Sequence, residues 1–107
     1  MAALFALGRI VATPGALEVL EETGADASDM LRRHAEGDWG EVPPEDAREN
    51  RYSVEHGFRI LSSYSVGGDG GRLWIITEAD RSSTSLIEGA TSTQSSRSRR
   101  IRIASAS

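Results

Sequence analysis

Cysteine and lysine are both missing from the 107 residues. Without cysteine there is no disulfide framework and no thiolate metal site, which fits a reducing, cytoplasmic compartment. Without lysine the glycine run Gly67-Gly68-Asp69-Gly70-Gly71 cannot be a phosphate loop, since no Lys-Ser/Thr pair follows it. Aromatics are few, two each of Trp, Tyr and Phe. No apolar run approaches the ~18 residues of a membrane span. Met1 to Ala6 is apolar, but no basic leader precedes it and Arg9 soon interrupts, so no signal peptide is expected. No spacing of His, Asp and Glu suggests a metal, dinucleotide or catalytic-triad signature, and no cofactor is implied. The expectation is a soluble, cytoplasmic protein with no membrane contact.

What is present is uneven in charge. Residues 1–96 hold all sixteen acids against eight arginines, a net charge of −8. Arg97, Arg99, Arg100 and Arg102 follow in a Ser-rich stretch. All-arginine usage with abundant Ala and Gly fits a GC-rich genome. A body this acidic repels phosphates and suits a protein partner, or mimicry of nucleic acid toward a basic surface.

Length allows one domain. Leu4 to Val11 reads as a first strand. Thr13-Pro14 is an N-cap followed by a proline at the first helical position, opening a helix that Gly24 stops. Ser28 or Asp26 caps a second helix over 29–35, anchored by Met30 and Leu31 and ended by Gly37. Pro43-Pro44 opens a third helix with Glu45 and Asp46 in its first turn, where acids favour the dipole. Tyr52 and Val54 are its expected buried side and Gly57 its end. Phe58 to Val66 alternates with period two, a strand. The glycine run makes a hairpin loop. Arg72 to Thr77, with Leu73-Trp74-Ile75-Ile76 continuous, is a central strand covered on both faces. Ser83 to Ile87 is a short last strand. The predicted class is α+β, in the order β-α-α-α-β-β-β. It has a small, mainly antiparallel sheet of three or four strands with helices on one face. Residues 1–88 form the domain and 89–107 a disordered Ser/Arg-rich tail.

Three polar segments invite chemistry. In the first, Asp38 orients His34 for acid–base work, while Gly37 and Gly40 let a ligand approach the backbone beside Trp39. The plainer reading gives His34 a place at a helix end, Asp38 a local turn bond and Trp39 the edge of the core. In the second, Thr77 to Thr84 gathers Glu78, Asp80, Arg81 and four hydroxyls at one end of an apolar strand. Arg81 could grip a phosphate or carboxylate there. Alternatively the segment is a turn whose acids bond backbone amides and whose Arg81 pairs with a neighbouring acid. In the third, His56, Arg59 and Tyr64 share a strand region with the residue types of metal-free RNA cleavage. There the alternative is an amphipathic strand with Tyr64 in the core and Arg59 in water.

The strings LGRIVATPGALEVLEETG, RRHAEGDWGE, ENRYSVEHGFRILSSY and LWIITEADRSSTSLI resemble a family of short bacterial proteins borne on plasmids and phages. The likeness spans about residues 4–87 and is most specific in GDWG and ITEADRS. It carries over no catalytic residue set. Family members tend to end T-T-x-L-L-P-x-E-Y. Here Thr84-Ser85-Leu86-Ile87-Glu88 begins that way and the Ser/Arg stretch replaces the rest, as in a replaced terminus. The element order is also similar to that of barnase-like ribonuclease toxins, an analogy of arrangement alone.

Two functions compete. The first is a small accessory protein of mobile genetic elements acting through protein contacts, as a regulator or an inhibitor of host defence. Asp38, Trp39, Glu78, Asp80 and Arg81 are its candidate binding residues. The alternative is a metal-independent ribonuclease toxin of a toxin–antitoxin pair, with candidate catalytic residues His34, His56, Arg59, Tyr64, Arg81 and Thr84. A third route is nucleic-acid contact through Arg97, Arg99, Arg100 and Arg102.

Overall fold

Each helix begins and ends where local chemistry dictates. In the computed structural model, which describes residues 3–67 and 71–89, Thr13 accepts the amide of Ala16 and starts α1 (Pro14–Thr23). Gly24, in the left-handed region, closes it. Asp26 caps α2 (Ala27–Ala35) by accepting the Ser28 amide. This helix starts two residues earlier than the sequence suggests, because Asp26 and not Ser28 makes the cap. Pro44 opens α3 (Pro44–His56), and Gly57 at φ 77° ends it.

The strands are β1 (Arg9–Ala12), β2 (Ile60–Val66), β3 (Gly71–Thr77) and β4 (Ser83–Gly89). They form one four-stranded sheet in the order β1-β4-β3-β2. The two hairpin pairings are antiparallel, and β1 joins β4 in parallel, with Ile10 beside Thr84 and Ala12 beside Leu86. The α+β class and element order match expectation. The first strand is shorter than expected: residues 4–8 run outside the sheet, and Leu4 donates its amide to the Ala35 carbonyl at 2.7 Å. β4 extends through Gly89, one residue past the expected domain end. The expected tail, from 90 onward, lies outside the described residues.

β3 is central and apolar on both faces, as its continuous run requires. Leu73 and Ile75 join Tyr64, Val66, Leu86, Ala16 and Met30 on the side covered by α1 and α2. Trp74 and Ile76 join Leu61 and Ile87 on the other. Each fully buried Leu or Ile adds ~1.5–3 kcal/mol of apolar burial.

α3 differs from expectation in its buried face. Tyr52 is 56% exposed, while Asp46, Asn50 and Ser53 point inward. The helix lies along the free edge of β2 and meets backbone, not an apolar surface. Asn50 donates to the Leu61 carbonyl at 2.7 Å and accepts the Leu61 amide at 3.1 Å. Two residues on, Ser63 exchanges backbone bonds with Trp39 and Glu41. Together these contacts cap one edge of the sheet.

Candidate functional site

The end of the sheet where β2, β3 and β4 carry Ser62, Thr77 and Thr84 holds only part of the nominated set. His34 sits one turn after Met30 on α2 and so shares its inward face. It is 0% exposed. This corrects both sequence readings of His34: it is neither a solvated helix-end residue nor a partner of Asp38. Its Nδ1 lies 2.5 Å from Ser62 Oγ and its Nε2 2.9 Å from Thr77 Oγ1. Thr77 Oγ1 is 2.7 Å from Thr84 Oγ1, and Thr84 donates to the Leu7 carbonyl.

Donor counting fixes the protons along this chain. Thr84 has one hydroxyl hydrogen, which goes to a carbonyl that can only accept. Thr77 must therefore donate to Thr84 and accept from His34. Nε2 then carries the imidazole hydrogen, and Nδ1 accepts from Ser62. The ring is neutral in this arrangement. Burial, and secondarily the Arg81 charge, push its pKa down to about 3. Phe5 meets the ring edge-on at 5.3 Å and Trp39 at 6.0 Å. Trp39 is buried, as the core-edge reading of the GDWG segment requires.

Arg81 occupies the turn between β3 and β4 at φ 62°, a left-handed conformation rare for a side-chain-bearing residue. Its guanidinium donates to four carbonyls, those of Phe58, Glu78, Ala79 and Ser53, at 2.8–3.1 Å. It also lies 5.4 Å from the Phe5 ring centre. Neither sequence reading of Arg81 describes this. The fork is engaged with backbone, joining Ser53 of α3 and Phe58 ahead of β2 to the turn, and forms no ion pair with an acid among the described residues.

Arg59 pairs with Glu78 at 2.8 Å, both half-buried. Asp80 bonds the Ser82 amide. The Ser82 hydroxyl and amide hold its carboxyl below the ordinary value. Glu78, Ala79, Asp80, Ser82, Ser83 and Ser85 line an open cleft of about 550 Å³.

Asp38 pairs with Arg33 at 2.7 Å and accepts the Gly40 amide, the local turn bond expected. Tyr64 donates its hydroxyl to the Asp38 carbonyl, and Arg33 stacks over its ring at 4.6 Å. Burial raises the Tyr64 phenol to about 12. Gly40 passes so close to β2 that a Cβ there would stand 2.1 Å from the Ser63 carbonyl oxygen.

His56 is separate from all of these. It is exposed and stacks on Tyr52 with ring centres 4.0 Å apart. Tyr52 stacks in turn on Phe58 at 5.9 Å, the planes within 5°. Tyr52 and Phe58 are 56% and 53% exposed. Tyr52 and His56 are neighbours by their i,i+4 spacing, and the Gly57 cap turns Phe58 back toward them. Sequence reasoning assigned Tyr52 to the buried side of the helix and Phe58 to the start of a strand that in the fold begins at Ile60, and so missed this surface. The detectable signal was the helix-spaced Tyr-x-x-x-His before a glycine cap.

The proposed catalytic set is thus spread over three environments. His34 and Thr84 are in the buried chain, Arg59, Arg81 and Tyr64 are tied to protein groups, and His56 is in the exposed stack. Among the described residues no group of three or more His, Asp or Glu could hold a metal, and no helix is long and apolar enough to cross a membrane. Arg97, Arg99, Arg100 and Arg102 lie outside the described residues. A scan against protein-family models, a search of curated proteins and a search of solved structures each gave no match.

Proposed function

We propose that this chain acts by binding a protein partner, as an accessory protein of mobile genetic elements that regulates or inhibits host defence. The observation that carries the binding reading is the exposed stack of Tyr52, His56 and Phe58. Rigid aromatic side chains held in place before docking lose little entropy on burial, and Tyr and Arg are enriched among the residues that dominate binding energy. Arg48 and Arg51 are exposed on the same helix. The acidic body favours a protein over a nucleic-acid partner. The role in mobile elements rests on the sequence resemblance.

The ribonuclease alternative needs a histidine, an arginine and a hydroxyl converging on one open site. His34 is enclosed and neutral, and the Arg81 fork is committed to carbonyls, which supports binding over catalysis.

The test is affinity capture from a bacterial host lysate with wild type and with Tyr52→Ala/Phe58→Ala. Both side chains are exposed, so each substitution should cost within ~0.5 kcal/mol of stability. The expected result is a specific protein retained by wild type and lost by the double variant, with unchanged circular dichroism. Equal capture by both would overturn the assignment of the surface. Growth arrest and RNA fragmentation on induced expression, abolished by His56→Ala, would replace binding by the toxin reading. His56 is the control of choice because Arg81→Ala would act through the fold.

A further inference from the structure

Residues 3–8 belong to no helix or strand, yet they cover the His34 chamber. Phe5 and Leu7 are drawn inward, while Ala3, Leu4, Ala6 and Gly8 are exposed. Phe5 lies edge-on to the His34 ring, stacks on Trp39 at 6.3 Å and carries the Arg81 guanidinium over its face. The tethers are the Leu4 amide on the Ala35 carbonyl and the Thr84 hydroxyl on the Leu7 carbonyl, each at 2.7 Å. At Gly8, φ 67°, the chain passes so close to the β3–β4 turn that a Cβ would stand 2.4 Å from the Ser82 carbonyl oxygen. From Arg9 onward the backbone is paired with β4. A segment with few buried side chains and no ladder of its own is the kind that opens without the rest of the fold.

The Leu7 bond also wires this segment to His34. By accepting the Thr84 hydrogen, the Leu7 carbonyl sets the proton order through Thr77 to the neutral ring. The ring meets Ser62 from β2, Thr77 from β3, Phe5 from the segment and Trp39 from the loop after α2. The charge that bears on it is the Arg81 guanidinium of the β3–β4 turn. Glu78, the acid next to Thr77, is engaged by Arg59. A proton added to the enclosed ring therefore meets a cation and no carboxylate among these neighbours. It also turns Nδ1 from acceptor to donor against Ser62. With the segment lifted, water solvates the charge.

We propose that residues 3–8 are a strap hinged at Gly8, which lifts from the still-folded sheet when His34 takes up a proton and so uncovers the His34 chamber. Glycine at the hinge absorbs the backbone rotation without a side-chain clash. The closed strap holds His34 neutral down to about 3, against an ordinary 6.5 that the ring regains once water reaches it. The closed state is thus favoured above pH 6.5 and gives way as pH falls below it. Opening becomes up to ~30-fold more frequent at pH 5 than at pH 7.5.

Hydrogen exchange by NMR on the full chain tests this in wild type, His34→Gln and Phe5→Ala, with rates corrected for the intrinsic pH dependence of amide exchange. The Leu4 amide reports the strap and the Ile75 amide, in central β3, reports the folded sheet. Leu4 should exchange at least ~100-fold faster than Ile75 at both pH values, the sign of opening without unfolding. Its opening should increase ~10–30-fold from pH 7.5 to 5 in wild type and less than ~3-fold in His34→Gln. Phe5→Ala should expose Leu4 at both pH values while Ile75 stays protected. Leu4 and Ile75 exchanging at one rate would overturn the proposal, since the segment would then open only with the whole fold. Leu4 opening that is independent of pH in wild type, or equally pH-dependent in His34→Gln, overturns it too. So does Phe5→Ala with Leu4 protected as in wild type.

Discussion

Replacing His34 by Gln removes the only titrating group in the Ser62–His34–Thr77–Thr84 chain while keeping a side chain that can bond one hydroxyl. The structure sets the size of the effect. The folded protein holds His34 neutral down to about 3, against an ordinary 6.5. Between those values the unfolded chain binds a proton that the folded chain refuses. Stability therefore rises with pH across the window, is complete above 6.5, and is lost as pH falls toward 3. The whole gap, at ~1.4 kcal/mol per pH unit, is worth ~5 kcal/mol, a large share of the 5–15 kcal/mol typical of a domain.

The cleanest interval lies between pH 7.5 and 5. Asp38, Glu41 and Asp80 have ordinary values of 3.8–4.5, lowered in the fold, so their loss begins below about pH 5. In that interval the wild type should lose ~2 kcal/mol of unfolding free energy through His34. His34→Gln should lose less than ~0.5 kcal/mol there, after an initial cost of ~1–3 kcal/mol at pH 7.5 from the hydroxyl left unpaired. Urea unfolding followed by circular dichroism at both pH values measures the difference. The same pH dependence in both proteins would refute the reasoning, as would a His34 ring that titrates near 6.5 by NMR in the folded state.

Arg81→Lys should destabilise the fold by ~2–4 kcal/mol, because an ammonium cannot span four carbonyls as the planar fork does. Thermal unfolding checks this, and a melting temperature equal to wild type would show the carbonyl bonds to be unimportant. Asn50→Asp should cost ~2–3 kcal/mol, since the carboxylate can still accept the Leu61 amide but faces the Leu61 carbonyl with no donor. Its signature is faster amide hydrogen exchange at Leu61 and along β2, alongside a lower urea midpoint.

Local chemistry was legible. Thr13-Pro14, Gly24, Pro43-Pro44 and Gly57 bound helices because capping and φ restrictions act within a few residues. The run Leu73 to Ile76 announced a central strand because burial on both faces leaves no polar alternation. The inward face of α3 was illegible. Its partner is the backbone of β2, and an edge that offers hydrogen bonds selects Asn50 where an apolar surface would have selected Tyr52. His34 and Arg81 were correctly singled out as residues needing explanation, but their partners lie 28 and 43 residues away for one and up to 28 for the other. No local pattern encodes such separations.

By itself the sequence determined the element order, the caps and the two-sided burial of β3, since each follows from neighbouring residues and their conformational preferences. Tertiary structure alone decided that His34 is an enclosed neutral link between three strand hydroxyls. It likewise decided that Arg81 is a backbone clamp, and that the β2 edge is capped by Asn50 and the Trp39–Glu41 segment. Those outcomes depend on which groups the folded chain brings within hydrogen-bonding distance.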